Sequence, residues 1–250
     1  ELCPDFYLLH MEQYEKDREY VRMLNDYMIK RKDNLNSAVS INERSFEIFG
    51  REKFLLKEGG NGILKKLGLS LEMLNCYETS QPLAYYSHKK EEGQTLLFVE
   101  NKDTFYSMRK HMLEGKDNIM GISVGTLIYG GGKAVYRSVS DFERCIEPYM
   151  KNKKNIILYF GDLDYEGILI YEQLRDLMMP VYNVLPFTSA YQKMILKSEN
   201  IILPKSKEQQ NKNCGDTFLK YFDEDTTYKI KQILESGRYI PQEILQIADF

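Results

Sequence analysis

From residue 95 onward, short apolar runs alternate with stretches of helical periodicity, and this alternation constrains the fold more than any other feature of the chain. The strand-like runs and the helical stretches follow one another as 95–100, 102–113, 118–124, 135–150, 155–161, 166–178, 181–186 and 188–199. Alternation of this kind is typical of βαβ units with short, right-handed crossovers. We therefore predict an α/β fold, with a Rossmann-like parallel sheet flanked by helices.

The chain before residue 95 has a different pattern. Residues 11–32 carry apolar side chains at helical spacing and predict a helix. Short helical stretches follow, with Asn42 or Ser45 as a candidate cap, and PLAYYSH (82–88) has the composition of a strand. Short helices followed by a strand predict a small α+β module of the winged-helix type.

These patterns divide the chain into three predicted regions. A helical segment spans 1–40, the winged-helix-like module spans 41–92, and the α/β domain with its C-terminal helices spans 93–250. The polar stretch KKEEGQ (89–94) is the expected boundary, and Pro241 is expected to be the first residue of the last helix.

The composition narrows the class of protein. Hydrophobic residues make up 43% of the chain and the net charge is −3, which argues against a protein that simply coats DNA but allows a local basic groove. The four cysteines form no CxxC pair, so we expect reduced thiols and no zinc site. The sequence has no signal peptide and no apolar run of membrane-spanning length, which predicts a cytoplasmic protein. Because it starts on Glu1, we expect a fragment of a longer protein.

Acidic side chains follow two of the predicted strands. Glu100 ends the apolar run TLLFVE, and Asp162 and Asp164 follow the run NIILYFG, in which Gly161 lets the backbone turn. Carboxylates at the carboxyl ends of neighbouring parallel strands share one edge of the sheet. Three carboxylates without Cys or His suit Mg²⁺ or Mn²⁺, which can hold a phosphodiester and activate a water molecule. We therefore predict that these three residues bind metal and catalyse phosphate chemistry on nucleic acid.

Three other motifs fail on inspection. GISVG (121–125) matches a nucleophile elbow, but no histidine follows it, so Ser123 is expected to be a strand residue. YGGGKA (129–134) lacks the first glycine and the final Ser or Thr of a phosphate-binding P-loop, although Lys133 remains a candidate phosphate contact. A phosphatase of the haloacid-dehalogenase type needs its DxD on the first strand, whereas here DxD follows the third.

The basic residues point to DNA only locally. Lys65 and Lys66 lie in the predicted winged-helix-like module and are the pair that we expect to contact the DNA backbone, since phosphate contacts supply most non-specific affinity.

The order of these features resembles the Toprim domain of topoisomerases, primases and some nucleases. Four segments together are similar to the C-terminal region of the JetD family of Wadjet anti-plasmid systems, namely 42–55, 96–105, 127–135 and 159–167. That region is itself similar to the A subunit of topoisomerase VI, with a winged-helix (CAP-like) module followed by Toprim. The resemblance covers roughly 40–250 and implies that 1–40 is the end of an arm domain or a linker.

The resemblance implies a nuclease subunit of a plasmid-defence complex. Glu100 would be the Toprim glutamate, a general acid/base or metal ligand, and Asp162 and Asp164 would be the metal-binding DxD, with Mg²⁺ or Mn²⁺ as cofactor. The implied partners are circular double-stranded plasmid DNA, subunits of an SMC-type motor complex, and a second copy of the chain in a homodimer.

Two other functions remain open at this point. A strand-transfer protein like the topoisomerase VI A subunit would need a nucleophilic tyrosine, and Tyr77, Tyr85 and Tyr86 lie in the predicted module. A non-catalytic Toprim-like or receiver-like module would only bind DNA or a partner, and Glu100 would then pair with a lysine.

Overall fold

A computed structural model of the chain describes residues 2–79, 82–140, 142–179, 181–207, 210–211 and 215–250. The chain divides into two compact units, Glu1–Thr79 and Ser80–Phe250. Within the described residues, no helix combines the length and the apolar character needed to cross a bilayer.

The smaller unit is mainly helical. Its elements are α1 (Asp5–Leu9), α2 (Met11–Lys30), β1 (Val39–Ser40), α3 (Ile41–Phe49), α4 (Phe54–Lys57), α5 (Gly60–Lys66) and β2 (Cys76–Tyr77). The helix predicted at 11–32 is confirmed as α2. The two short strands pair in parallel, and the winged-helix assignment of this region stays a prediction.

Helix α3 begins one turn earlier than the candidate caps implied. Its N-cap is Ser40, whose hydroxyl accepts from the backbone N–H of Glu43, while the Glu43 carboxylate accepts from the N–H of Ser40. The prediction of Asn42 or Ser45 as the cap is therefore wrong, because both lie inside the helix. Ser40 has the extended backbone that a cap needs, and Glu43 completes a capping box.

The larger unit is an α/β domain. Its elements are β3 (Tyr85–Ser87), β4 (Thr95–Val99), α6 (Lys102–Leu113), β5 (Asn118–Ile119), β6 (Ile122–Ser123), β7 (Thr126–Tyr129), α7 (Val135–Ser140), α8 (Phe142–Cys145), β8 (Ile156–Phe160), α9 (Tyr165–Met178), β9 (Asn183–Pro186), α10 (Thr188–Ser198) and α11 (Glu224–Glu235). Five strands form the main sheet in the order β3-β7-β4-β8-β9, and β7, β4, β8 and β9 are mutually parallel. The predicted α/β class, with a sheet flanked by helices, is confirmed.

The central strands β4 and β8 form the core of this unit. Leu96 to Val99 and Ile157 to Phe160 are all buried, at no more than 8% exposure. A continuous apolar run of this kind is typical of a parallel strand that is covered on both faces. These two strands also pair with each other, so their carboxyl ends lie side by side.

Two strand predictions need correction. The strand expected at 82–88, which was assigned to the small module, is β3, and it pairs antiparallel with β7 at the edge of the main sheet. The strand expected at 118–124 is instead a hairpin of β5 and β6, because Met120 and Gly121 adopt positive φ angles and turn the chain. The sheet strand at this point of the sequence is β7, whose residues Thr126 to Ile128 are fully buried.

Two helix predictions also differ. The helix expected at 135–150 ends earlier than predicted. Helical residues are described at Val135–Ser140 and Phe142–Cys145, and a 3-10 turn follows at Pro148–Lys151, where the proline cannot donate a helical hydrogen bond. Pro241 precedes a 3-10 turn, Gln242–Ile244, as its N-cap and is not the first residue of an α-helix.

Candidate active-site cleft

The carboxyl ends of β4 and β8 bring two of the predicted acids together. The register of these parallel strands pairs Val99 with Phe160, and the N–H of Glu100 continues the ladder by donating to the carbonyl of Phe160 at 2.9 Å. Glu100 therefore follows β4 directly, and Asp162 follows β8 after one glycine. The end of β7 adjoins them, since the N–H of Gly130 donates to the carbonyl of Val99 at 2.8 Å.

An open cleft of about 330 Å³ lies at these strand ends. Both Glu100 and Asp162 line it, together with Asn101, Lys102, Asp103, Tyr129, Gly131, Gly132 and Gln242. An open cleft with carboxylates at the carboxyl edge of a parallel sheet is the usual setting for an α/β active site.

Glu100 is held from inside the domain. Its Oε2 accepts from the hydroxyl of Tyr159 at 2.7 Å, and the backbone N–H of Asp162 also favours the charged carboxylate. Burial raises the pKa of Glu100 to about 7 despite these donors, and the negative charges of Asp162 and Asp164 add to the rise. Glu100 is thus partly protonated near neutral pH.

Asp162 is fixed by the C-terminal segment. Its Oδ1 accepts from the backbone N–H of Gln242 at 2.8 Å. Burial raises the pKa of Asp162 to about 6, and the charges of Asp164 and Glu243 raise it further, while Lys207 opposes them. The cleft therefore concentrates negative charge that is costly to maintain.

Asp164 has a different setting. Its Oδ1 accepts from the N–H of Gly167 at 2.6 Å and caps α9, and its Oδ2 accepts from the amide of Gln210 at 2.6 Å. Burial raises its pKa as well. In the part of the chain that is described, Asp164 is not among the residues that line the cleft. The structure thus brings Glu100 and Asp162 together at the opening and turns the oxygens of Asp164 toward protein donors.

The donor set fits a hard cation in part. Carboxylate oxygens of Glu100 and Asp162 are ligands that Mg²⁺ and Mn²⁺ accept. A cation would offset the burial, and the smaller charge repulsion, that raise the pKa of both groups. Across residues 2–79, 82–140 and the other described ranges, no group of three or more His, Cys, Asp or Glu side chains is arranged to hold a metal ion. Both oxygens of Asp164 already accept hydrogen bonds from protein donors, Gly167 and Gln210.

The three candidate lysines lie in different settings. Lys65 is exposed at the end of α5. Lys66 donates to Asp17 at 2.7 Å within the smaller unit, so its charge is already paired. Lys133 is exposed, follows the glycines that line the cleft, and lies 3.3 Å from Glu166. Lys65 and Lys133 are the better candidates for DNA contact.

The alternative functions were expected to show particular contacts. In the described residues, Glu100 has no lysine within ion-pair distance, which is the contact that a purely binding module would show. Tyr77 lies in β2, and Tyr85 and Tyr86 lie in β3; none of the three is among the described residues that line the cleft. Ser123 is a strand residue of β6, as predicted, and its hydroxyl donates to Asp117 at 2.5 Å.

The C-terminal segment supports the site through Gln242. The sequence around Gln242 and Glu243 resembles a Gln-Glu pair near the end of JetD-family proteins, which singles out Gln242 but does not indicate its contacts. Gln242 is fully buried, and its side chain donates to the carbonyl of Phe160 at 3.0 Å and accepts from the N–H of Asn101 at 2.7 Å. It therefore joins the ends of β4 and β8.

Comparison with known proteins gives one match. A family model described as Wadjet protein JetD, C-terminal, matches residues 63–248 of this chain. The match includes all the residues that line the cleft. A comparison with curated proteins found no match.

Proposed function

This chain belongs to the Wadjet JetD C-terminal family, and on that premise we propose that it is the DNA-cleaving subunit of a Wadjet complex. Family membership implies a subunit of a multi-subunit Wadjet system. The proposed activity is Mg²⁺- or Mn²⁺-dependent hydrolysis of phosphodiester bonds in circular double-stranded plasmid DNA. The proposed partners are subunits of an SMC-type motor complex and a second copy of this chain, so that two sites cut both strands.

One observation carries this proposal. Glu100 and Asp162 come from adjacent parallel strands, line one open cleft, and have pKa values raised to about 7 and about 6. A protein gains no stability from two half-buried carboxylates that repel each other, whereas a site for a cation and a phosphate needs them. Raised carboxyl pKa values in a cleft are typical of functional sites.

The proposed chemistry is water attack on phosphorus. Glu100, Asp162 and Asp164 are the residues that would hold the cation, which would neutralise phosphate charge and lower the pKa of a water molecule. Glu100 is also the proton acceptor that we assign, because its pKa lies nearest to neutrality. As the water oxygen bonds to phosphorus, the bond to the leaving sugar oxygen breaks, and solvent supplies the proton to that oxygen.

Backbone contacts to DNA are proposed for the lysines of the sequence analysis. Lys133 is exposed beside the cleft, and Lys65 is exposed on the smaller unit. Lys66 is expected to contribute least of the three, because it must leave Asp17 to reach a phosphate.

Reconstitution tests the proposal directly. The chain is assembled with its Wadjet partners and given circular plasmid with Mn²⁺, and Glu100→Gln and Asp162→Asn are compared with wild type. Loss of a catalytic acid or metal ligand is expected to reduce cleavage by at least about 100-fold. Asp176→Asn is the matched control, since this exposed acid of α9 lies outside the cleft lining.

Two results would reject this function. Cleavage at the wild-type rate by a variant that combines Glu100→Gln with Asp162→Asn would show that these carboxylates take no part in the reaction. A covalent protein–DNA adduct in denatured reactions would replace hydrolysis by strand transfer through a tyrosine.

A further inference from the structure

A glycine at the end of β8 leaves space for a contact beneath the cleft. Side chains alternate along a strand, so Tyr159 and position 161 lie on the same face of the sheet. On the neighbouring strand Phe98 pairs with Tyr159, so Glu100, two residues later, lies beside Gly161. A Cβ at position 161 would lie 2.4 Å from both the Glu100 Oε2 and the Tyr159 hydroxyl. The absent side chain of Gly161 is therefore what lets these two groups meet. This role differs from the turn that the sequence predicted.

The contact itself is a buried, charge-assisted hydrogen bond. Tyr159 is 1% exposed, and its hydroxyl donates to Oε2 of Glu100 at 2.7 Å. A buried hydroxyl without a partner is costly, so this donor is committed to Glu100. The hydroxyl of Tyr191, also buried, accepts from the N–H of Gly161 at 2.9 Å and fixes the backbone next to it.

The two oxygens of Glu100 have different surroundings. Oε2 faces the buried hydroxyl of Tyr159, whereas Oε1 faces the glycine loop, since a Cβ built on Gly132 would lie 3.7 Å from it. Gly132 lines the cleft. Rotation of the carboxylate would exchange these surroundings, and the hydrogen bond from Tyr159 opposes that rotation.

We propose that Tyr159 is a positioning residue that makes Glu100 act through a single oxygen, Oε1, by holding Oε2 away from the cleft. The inference rests on the proposed function and specifies how one of its carboxylates is used. A fixed Oε1 gives the cation or the attacking water one defined partner, and a freely rotating carboxylate would offer two.

Tyr159→Phe tests the proposal because it removes the hydroxyl and keeps the ring. Removing a residue that orients a ligand is expected to reduce Mn²⁺ affinity and the cleavage rate of the reconstituted complex by about 10- to 100-fold. The electron paramagnetic resonance spectrum of bound Mn²⁺ should also change. Tyr171→Phe is the matched control, because this fully buried tyrosine donates to the carbonyl of Val184 at 3.4 Å and lies outside the cleft.

Gly161→Ala tests the same contact without altering either partner, because the added methyl group must displace the Oε2 of Glu100 or the hydroxyl of Tyr159. It should reduce Mn²⁺ affinity as Tyr159→Phe does. A crystal structure of the metal-free Tyr159→Phe protein should show the Glu100 carboxylate rotated.

The outcomes separate the two proposals. If wild type cuts, Glu100→Gln does not, and Tyr159→Phe matches wild type in rate, affinity and spectrum, the positioning role is wrong and the nuclease stands. If Glu100→Gln cuts like wild type, the nuclease site itself is wrong. In that case an unrotated carboxylate in Tyr159→Phe rejects the positioning role independently.

Discussion

Charged side chains that are shielded from water are compensated by partners in the smaller unit but not in the cleft of the larger unit. In the smaller unit, the fully buried Arg44 donates to Glu47 and to the Tyr27 hydroxyl. Burial alone would raise the pKa of Glu47, but hydrogen bonds from its neighbours lower it overall. In the cleft, burial raises the pKa of Glu100 and its acidic neighbour adds to the rise. The first arrangement stabilises the fold, and the second carries a cost that a bound cation would remove.

The largest loss of stability is expected when Arg44, the compensated charge of the smaller unit, is replaced. Arg44→Met removes a buried cation and the hydrogen bonds that it donates to the carbonyls of Asn34 and Ser37. Breaking a buried charge network costs about 3–5 kcal/mol, which urea unfolding would measure. Lys30→Met is the control, because its pair with Asp26 is exposed and contributes about 0.5 kcal/mol or less. Equal losses of unfolding free energy for the two variants would show that the buried contacts of Arg44 do not stabilise the fold.

The next largest loss of unfolding free energy is expected at Gln242, the joint between the ends of β4 and β8. Gln242→Leu leaves the Asn101 N–H without a partner and removes one of the two hydrogen bonds to the Phe160 carbonyl, which keeps the bond from the Glu100 N–H. The expected loss of unfolding free energy is about 1–3 kcal/mol. Exposed Gln232→Leu on α11 is the matched control. A Gln242→Leu protein as stable as this control would contradict the assignment of Gln242 as the joint.

Replacing Glu100, the uncompensated charge of the cleft, is expected to increase stability. The pKa of Glu100 is raised from 4.5 to about 7, so the folded protein keeps this proton to a higher pH than the unfolded chain does. Stability is therefore lost as the pH rises from about 4.5 to about 7. Without divalent cations, Glu100→Gln should be more stable than wild type by about 1–3 kcal/mol at pH 8.

The expected gain in stability of Glu100→Gln can be checked by its dependence on pH. The difference between Glu100→Gln and wild type should be small near pH 4.5 and vanish below it, where Glu100 is protonated in both the folded and the unfolded state. Urea unfolding at pH 4.5, 6 and 8 measures it. A variant less stable than wild type at pH 8 would mean that the Glu100 charge is compensated in the fold.

Lys133 predicts the smallest effect on stability. Its pair with Glu166 is exposed, so Lys133→Ala should change the unfolding free energy by about 0.5 kcal/mol or less. If Lys133 contacts a phosphate, DNA affinity should fall uniformly across sequences and the slope of log affinity against log salt should decrease by about 1. An unchanged salt slope would remove Lys133 from the DNA interface.

The sequence predicted the parts of the fold that local patterns determine. Helices α2, α6, α9 and α10 and strands β4, β8 and β9 follow apolar periodicity and short connections. The hairpin at 118–123 was missed because Ile119 and Val124 are buried like strand residues, while the turn depends on the backbone of Met120 and Gly121. The partner of β3 was missed because strand pairing is a long-range contact that composition does not encode.

The candidate site was predictable to a similar degree. Glu100 and Asp162 could be found because each follows an apolar strand, and adjacent parallel strands end at one edge. The setting of Asp164 could not, because its capping of α9 and its contact with Gln210 depend on tertiary packing. The supporting contacts of Tyr159 and Gln242 join residues far apart in sequence, so no local pattern indicates them.

Calorimetric titration of this chain with Mn²⁺ measures whether Glu100 and Asp162 form a cation site. We expect binding at pH 8 that weakens toward pH 5.5, because the cation competes with protons on groups whose pKa values are about 7 and about 6. Binding at pH 6.5 should release protons, and Glu100→Gln combined with Asp162→Asn should abolish binding. Equal Mn²⁺ binding by wild type and this double variant, or no binding by wild type at pH 8, would show that these carboxylates do not form a cation site.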